Sequence, residues 1–196
     1  MILRIVRGRI LAGRHEALRA GLAASFSQVR QMHGLIQAHM ALRAPAEGNE
    51  FAVISTWETA DATIAAFGPL VNRVAAVPGV SEYLDFKTVE HFEVDESVVV
   101  HADLPPALVR IVIGAIELGD DVEVQQELRR RIPDLGTEVV EGVVGRRISD
   151  RMVEVAFVTM WSRRPADRSL EHPVFPDVVE RYRTYSIEVY DEVFRA

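Results

Sequence analysis

The sequence predicts an α+β protein made of two ferredoxin-like βαββαβ units, with antiparallel sheets packed face to face as an intrachain dimeric α/β barrel. Three observations predict it. Leu3-Arg4-Ile5-Val6-Arg7-Gly8-Arg9-Ile10 falls on Val109-Arg110-Ile111-Val112-Ile113-Gly114-Ala115-Ile116 when the chain is slid over itself. Glu50 to Trp57 falls on Glu154 to Trp161, and Tyr83, Glu90 and Phe92 fall on Tyr185, Glu192 and Phe194. The order is the same and the register drifts little, so a duplicated unit sets the architecture.

Each element follows from its pattern. Residues 2–11 read as a strand, and Gly13 opens a helix whose Leu18, Leu22, Phe26, Val29 and Met32 recur at steps of three and four, with Gly34 as its stop. Residues 35–43 and 50–58 form a hairpin around Pro45–Asn49. Thr59 or Asp61 caps a second helix leading to Phe67, and residues 86–94 are the fourth strand. The second unit repeats this: a strand near 108–118, a helix near 121–132 carrying Val124, Leu128 and Ile132 and stopped by Pro133, and a hairpin turning at Ser149-Asp150. A helical stretch broken by Pro173 and Pro176 precedes the last strand, near 185–194. The expected units are 1–97 and 108–196, joined by a linker at 98–107 in which Pro105-Pro106 interrupts any helical period.

Composition narrows the function. With 48% hydrophobic residues the chain has ample material for a core. No run approaches the roughly 18 apolar residues of a membrane span, and Met1-Ile2-Leu3-Arg4 lacks the apolar region of a signal peptide, so a cytoplasmic location with no membrane partner is expected. A net charge of -7 without a basic block argues against nucleic acid. The absence of cysteine removes disulfides, thiol nucleophiles and thiolate metal sites, and Lys87 is the only lysine available for a Schiff base.

Leu3 to Arg14, the Gly34-Leu35-Ile36 strand start, Val53 to Glu58 ("VISTWE") and Val89-Glu90-His91-Phe92-Glu93-Val94 together resemble the antibiotic biosynthesis monooxygenase-like family. The resemblance covers most of the first unit. In the second it rests on the Trp161 segment and His172-Pro173-Val174-Phe175. It implies a small-molecule pocket between helices and sheet, and an activity ranging from cofactor-independent oxygenation of a planar aromatic or enolic compound to haem degradation or none. The haem-degrading branch has an asparagine on the first strand and a tryptophan and histidine on the second helix. Here the two asparagines are Asn49 and Asn72, the stretch Asp61–Phe67 holds neither residue, and His172 comes too early in register, so haem degradation is disfavoured.

The candidate base is His91, whose counterpart Val193 tells that the duplicated fold does not require an imidazole there; Glu93 could orient it. Trp57, Trp161 and Phe67 are candidate pocket walls, the alternative for the two indoles being core residues that seal sheet against helix. Arg7 and Arg9 are candidates for an anionic substrate, with salt bridges to acidic neighbours as the alternative. His39 reads as solvated, and His33 fits the end of the first helix. No histidine pair has metal-ligand spacing and no phosphate-binding loop is present, so no metal and no cofactor is expected. The expected partner is a small-molecule ligand, and beyond the intrachain pseudo-dimer a further homodimer stays open. The competing class is a non-catalytic tandem barrel that binds a ligand or assembles.

Overall fold

The computed structural model describes residues 1–43, 49–68, 80–149, 152–166, 170 and 172–195. Two compact units emerge, Met1–His91 with Tyr190–Ala196, and Phe92–Val189. Both are α+β with antiparallel strands, and each is described by itself.

The first unit contains β1 (Ile2–Ile10), α1 (His15–Val29), β2 (Leu35–Leu42), β3 (Glu50–Trp57), α2 (Ala60–Phe67) and most of β4 (Leu84–Glu93). β1 pairs with β3 from Ile2 opposite Trp57 to Arg9 opposite Glu50, and β2 flanks β3 on its other side. The full order is β10, β2, β3, β1, β4, where β10 (Glu192–Arg195) comes from the end of the sequence and sets Glu192 against Leu42. The apolar spacing seen in the sequence places Leu18 and Leu22 of α1 over Val6, Ile10, Met40, Leu42 and Phe51. Burying such a side chain is worth about 1.5–3 kcal/mol, which holds the helix to one face of the sheet.

Local chemistry fixes the ends of these elements. Gly34 turns the chain after α1 with φ 76°, and a Cβ there would stand 2.5 Å from Cβ of Ala62 in α2, so both the backbone and the helix contact demand glycine. Thr59 caps α2, its hydroxyl accepting from the Ala62 amide at 3.1 Å. The Asn49 amide donates to the carbonyl of Ile10 at 2.7 Å, closing β1 over the start of β3. Of the expected turn at Pro45–Asn49, only Asn49 lies within the described residues, and Asn72 lies outside them.

The second unit contains β5 (Ser97–Val99), β6 (Leu108–Glu117), α3 (Asp121–Arg131), β7 (Val139–Ser149), β8 (Met152–Trp161), α4 (Pro176–Val179) and β9 (Thr184–Tyr190) up to Val189. Its order is β7, β8, β6, β9, and β7 is flanked on its outer edge by β5 and by Glu93, which faces Arg146. Val124, Leu128 and Ile132 are buried against Val112, Val144, Phe157 and Trp161, as their spacing predicts. Pro133 does not simply stop α3; it sits in a 3₁₀ turn, Ile132–Leu135, that carries Leu135 into the same core. The expected linker 98–107 is partly strand, because Val98 and Val99 pair with Gly142 and Glu141. The expected turn at Ser149-Asp150 reaches the end of β7 at Ser149, and Asp150 lies outside the described residues.

His39 departs from expectation. It is 2% exposed rather than solvated, because β2 lies between β3 and β10 and every residue from Ala38 to Leu42 is buried.

Candidate functional site

The most distinctive chemistry of the first unit lies on the helix face of its sheet, where β1 and β3 end beside α2. Alternation along β1 puts Arg4 on the same face as Val6 and Ile10, and therefore under the helices. Arg4 is opposite Ser55 in the β1–β3 ladder, and Trp57 is opposite Ile2. The Arg4 guanidinium lies over the ring of Phe67, 4.2 Å from its centroid. Phe67 meets Trp57 edge to face, with centroids 5.4 Å apart and planes at 71°. α2 delivers Phe67 to this place, and its position depends on the Thr59 cap and the Gly34–Ala62 contact.

Arg4 is 3% exposed, and burial pushes its pKa down to about 10. It is still charged near neutral pH, and a buried guanidinium against an aromatic face gains roughly 0.5–2 kcal/mol from the ring quadrupole. The Trp57 indole is 1% exposed and donates its N–H to the Ser55 hydroxyl at 2.9 Å. Its polar edge is therefore held by the adjoining hydroxyl.

The second unit repeats part of this constellation and completes it differently. Arg110 is opposite Thr159, and Trp161 donates its N–H to the Thr159 hydroxyl at 2.9 Å. Arg110, 1% exposed, gives Nε to the carbonyl of Leu170 at 2.8 Å and Nη2 to that of His172 at 3.1 Å. The ring of Phe175 stacks on Phe157 at 6.2 Å, and Tyr182 covers Gly114 so closely that a Cβ there would meet its Cδ1 at 2.4 Å. Burial raises the Tyr182 phenol well above its ordinary range. The helix face of this unit is thus a packed core in which Trp161 is one member.

The remaining candidates are placed as follows. Arg7 lies on the opposite face of β1 from Arg4 and forms a two-pronged ion pair with Glu90, its Nε 3.1 Å from Oε2. Arg9 is exposed and stands 3.7 Å from Asp85. Both therefore have carboxylate partners, the alternative recognised in the sequence. His91, next to Glu90 on β4, is partly buried with its Nε2 shielded from solvent, and it shares a strand face with Val89, which packs on the core under α1. Glu93 is exposed and belongs to the second unit. Sequence reasoning brought Trp57 and Phe67 forward and overlooked Arg4. The signal was present, since Arg4 and Arg110 match across the repeat, each between two buried apolar neighbours, Leu3 and Ile5 in one strand and Val109 and Ile111 in the other.

Comparison with known proteins bears on this geometry. Residues 1–68 match the family model described as antibiotic biosynthesis monooxygenase. No curated protein matches the chain. Among solved structures, a candidate monooxygenase from Lactobacillus acidophilus NCFM superposes with a TM-score of 0.69 at 13% identity, over 99% of this chain and 93% of that one. An anthrone oxidase-like protein gives 0.68 at 11% identity, covering 100% and 92%. A candidate monooxygenase from Fusobacterium nucleatum gives 0.66 at 7% identity, covering 100% and 96%. At these identities the likeness is one of fold. Every described feature of the Arg4, Ser55, Trp57 and Phe67 corner falls inside residues 1–68, the segment that matches the antibiotic biosynthesis monooxygenase model.

Proposed function

We propose that the first unit binds a planar aromatic or enolic small molecule on the helix face of its sheet and oxygenates it without a cofactor. The observation that carries this reading is the aromatic corner of Trp57 and Phe67 at the end of β3 and α2, inside the family-matched segment. The two rings meet edge to face at 71°, an apolar corner against which a planar ring would pack. His91 is the proposed base. In a substrate of the anthrone type it would take a proton from the activated methylene, giving a delocalised enolate. That anion can pass an electron to dioxygen, and recombination of the radical pair forms the carbon–oxygen bond of a peroxide. Loss of water then leaves a carbonyl, so one methylene and one O₂ become one C=O and one H₂O, and His91 returns its proton. The likeness to an anthrone oxidase-like protein suggests this substrate for a first trial. In this reading the protein acts in the cytoplasm on a diffusing ligand, with neither nucleic acid nor membrane as partner.

The test is oxygen consumption with anthrone. Wild-type protein should consume one O₂ per quinone formed, and His91→Gln should lower kcat by roughly 10²–10⁴-fold with KM little changed. Binding without oxygen uptake would instead favour the non-catalytic ligand-binding class.

A further inference from the structure

We propose that residues 172–183 form a strap that serves as the second unit's own ligand. Seated, the strap fills the helix face of that unit's sheet; lifted, it leaves a site for an uncharged aromatic ketone. The proposal goes beyond the reading of the first unit and does not depend on it.

The sequence makes this stretch a separable piece. Pro173 and Pro176 restrict its regular structure to α4, a helix of four residues that cannot hold itself. The amides from Val178 to Tyr182 donate to carbonyls of Phe175, Pro176, Val178 and Val179, all inside the strap. The next amide, of Arg183, donates to Ala115 of β6 at 2.8 Å. At the other end Arg110 of β6 donates Nε to the Leu170 carbonyl at 2.8 Å and Nη2 to that of His172 at 3.1 Å. Arg110 and Gly114 share a face of β6 and stand about 13 Å apart at the rise of a strand. The strap covers that length, tied at both ends.

Between the ties, side chains hold it. Phe175, Val178 and Tyr182 are buried with Val112, Phe157 and Trp161, and Phe175 stacks on Phe157. Gly114 makes room for Tyr182, since a Cβ there would stand 2.4 Å from its Cδ1. On the outer side Arg131 of α3 pairs with Asp177 at 2.6 Å, and Arg181 pairs with Glu123 of α3 at 3.1 Å. Both carboxylates are exposed, and exposed ion pairs are individually weak, so these two latch the strap reversibly.

What the strap presents defines what could replace it. It offers the aromatic rings of Phe175 and Tyr182 to an apolar face, and carbonyl oxygens at its start to a buried guanidinium. An aromatic ketone carries the same two chemistries in one molecule, rings for the face and one oxygen acceptor for Arg110. The first unit treats its matching arginine differently, for there Arg4 meets the ring of Phe67 from α2.

The experiment follows amide hydrogen exchange of the wild-type protein with and without saturating benzophenone. The ketone should speed exchange at residues 178–182 roughly tenfold and leave residues 109–116 and 153–160 no faster. Asp177→Asn combined with Arg181→Gln should speed residues 178–182 a few-fold without ligand. It should also tighten benzophenone binding by about the same factor, because the seated strap competes with the ketone. Strap exchange that ignores benzophenone overturns the proposal, as does equal acceleration of the strands, which would make residues 172–183 ordinary core. If the double variant does not fold by circular dichroism, the wild-type measurement decides alone. Failure of the first-unit reading shows separately, as absent oxygen uptake with anthrone, and leaves the exchange at residues 178–182 untouched.

Discussion

Asp121 illustrates how far one carboxylate can tie stability to pH. It is 5% exposed at the start of α3, and its side chain accepts from Arg146 at 2.8 Å and from the Gly119 amide at 3.3 Å. Burial pushes its pKa up, but the bonds from Arg146 and the backbone outweigh that and leave it below the ordinary 3.8. A depressed folded pKa stabilises above the unfolded value and loses that contribution as pH falls through the folded one. The second unit should therefore weaken as pH drops below about 4, and Asp121→Asn should flatten this loss. Urea midpoints at pH 6, 4 and 3 for both proteins test it, and parallel acid losses would contradict it. Such a partnership is not written in the residues themselves. Asp121 reads as an ordinary helix-start acid, and only the fold brings Arg146 to it. The same holds for Arg4: its match with Arg110 was visible, whereas the ring of Phe67 above it depends on where α2 ends.

Among elements, α2 has the greatest leverage on the candidate site while being one of the shorter helices. It spans Ala60–Phe67, too few residues to be stable alone, so its cap and its packing have to hold it. Thr59 accepts from the Ala62 amide, and Thr63, 1% exposed, donates its hydroxyl back to the Thr59 carbonyl. Thr59→Ala should cost about 1 kcal/mol, a fall in Tm of roughly 2–4 °C. Since Phe67 is at the far end of this helix, the same variant should weaken anthrone binding; a change in Tm with unaltered binding would show that the cap does not position the ring. Elements of this kind were legible because their signals are local. The cap, the apolar steps of α1 and the period-two strands each depend on residues within one or two turns of chain. Their limits shifted by a residue or two where partners decide, as at Pro133, which a neighbouring core drew into a 3₁₀ turn.

The organisation of the whole chain was legible as repetition and illegible as membership. Glu192 and Phe194 matched Glu90 and Phe92, which identified a closing strand in each half. Nothing in the match says which sheet receives it, because alternation encodes a face and not a partner. In the structure residues 190–196 belong to the first unit, where Val193 pairs with Ala41 and Arg195 with His39. Truncation after Val189 should leave β2 as an edge strand. Hydrogen exchange at the amides of residues 39–42 should then accelerate at least tenfold, with residues 152–161 little affected. Uniform acceleration along the chain would mean that the strand supports more than its own unit.

The placement of β10 also imposes an order in time. The first unit holds the family-matched segment and the Arg4 corner, yet during synthesis it stays one strand short until residues 192–195 have left the ribosome. Domains usually fold as they emerge, N-terminal part first. Here the first unit waits for residues made after the whole of the second, with the unpaired side of β2 open to other chains in the interval. Slow translation of the second half would lengthen that exposure, and yield should depend on elongation rate more than the stability of the finished fold would suggest.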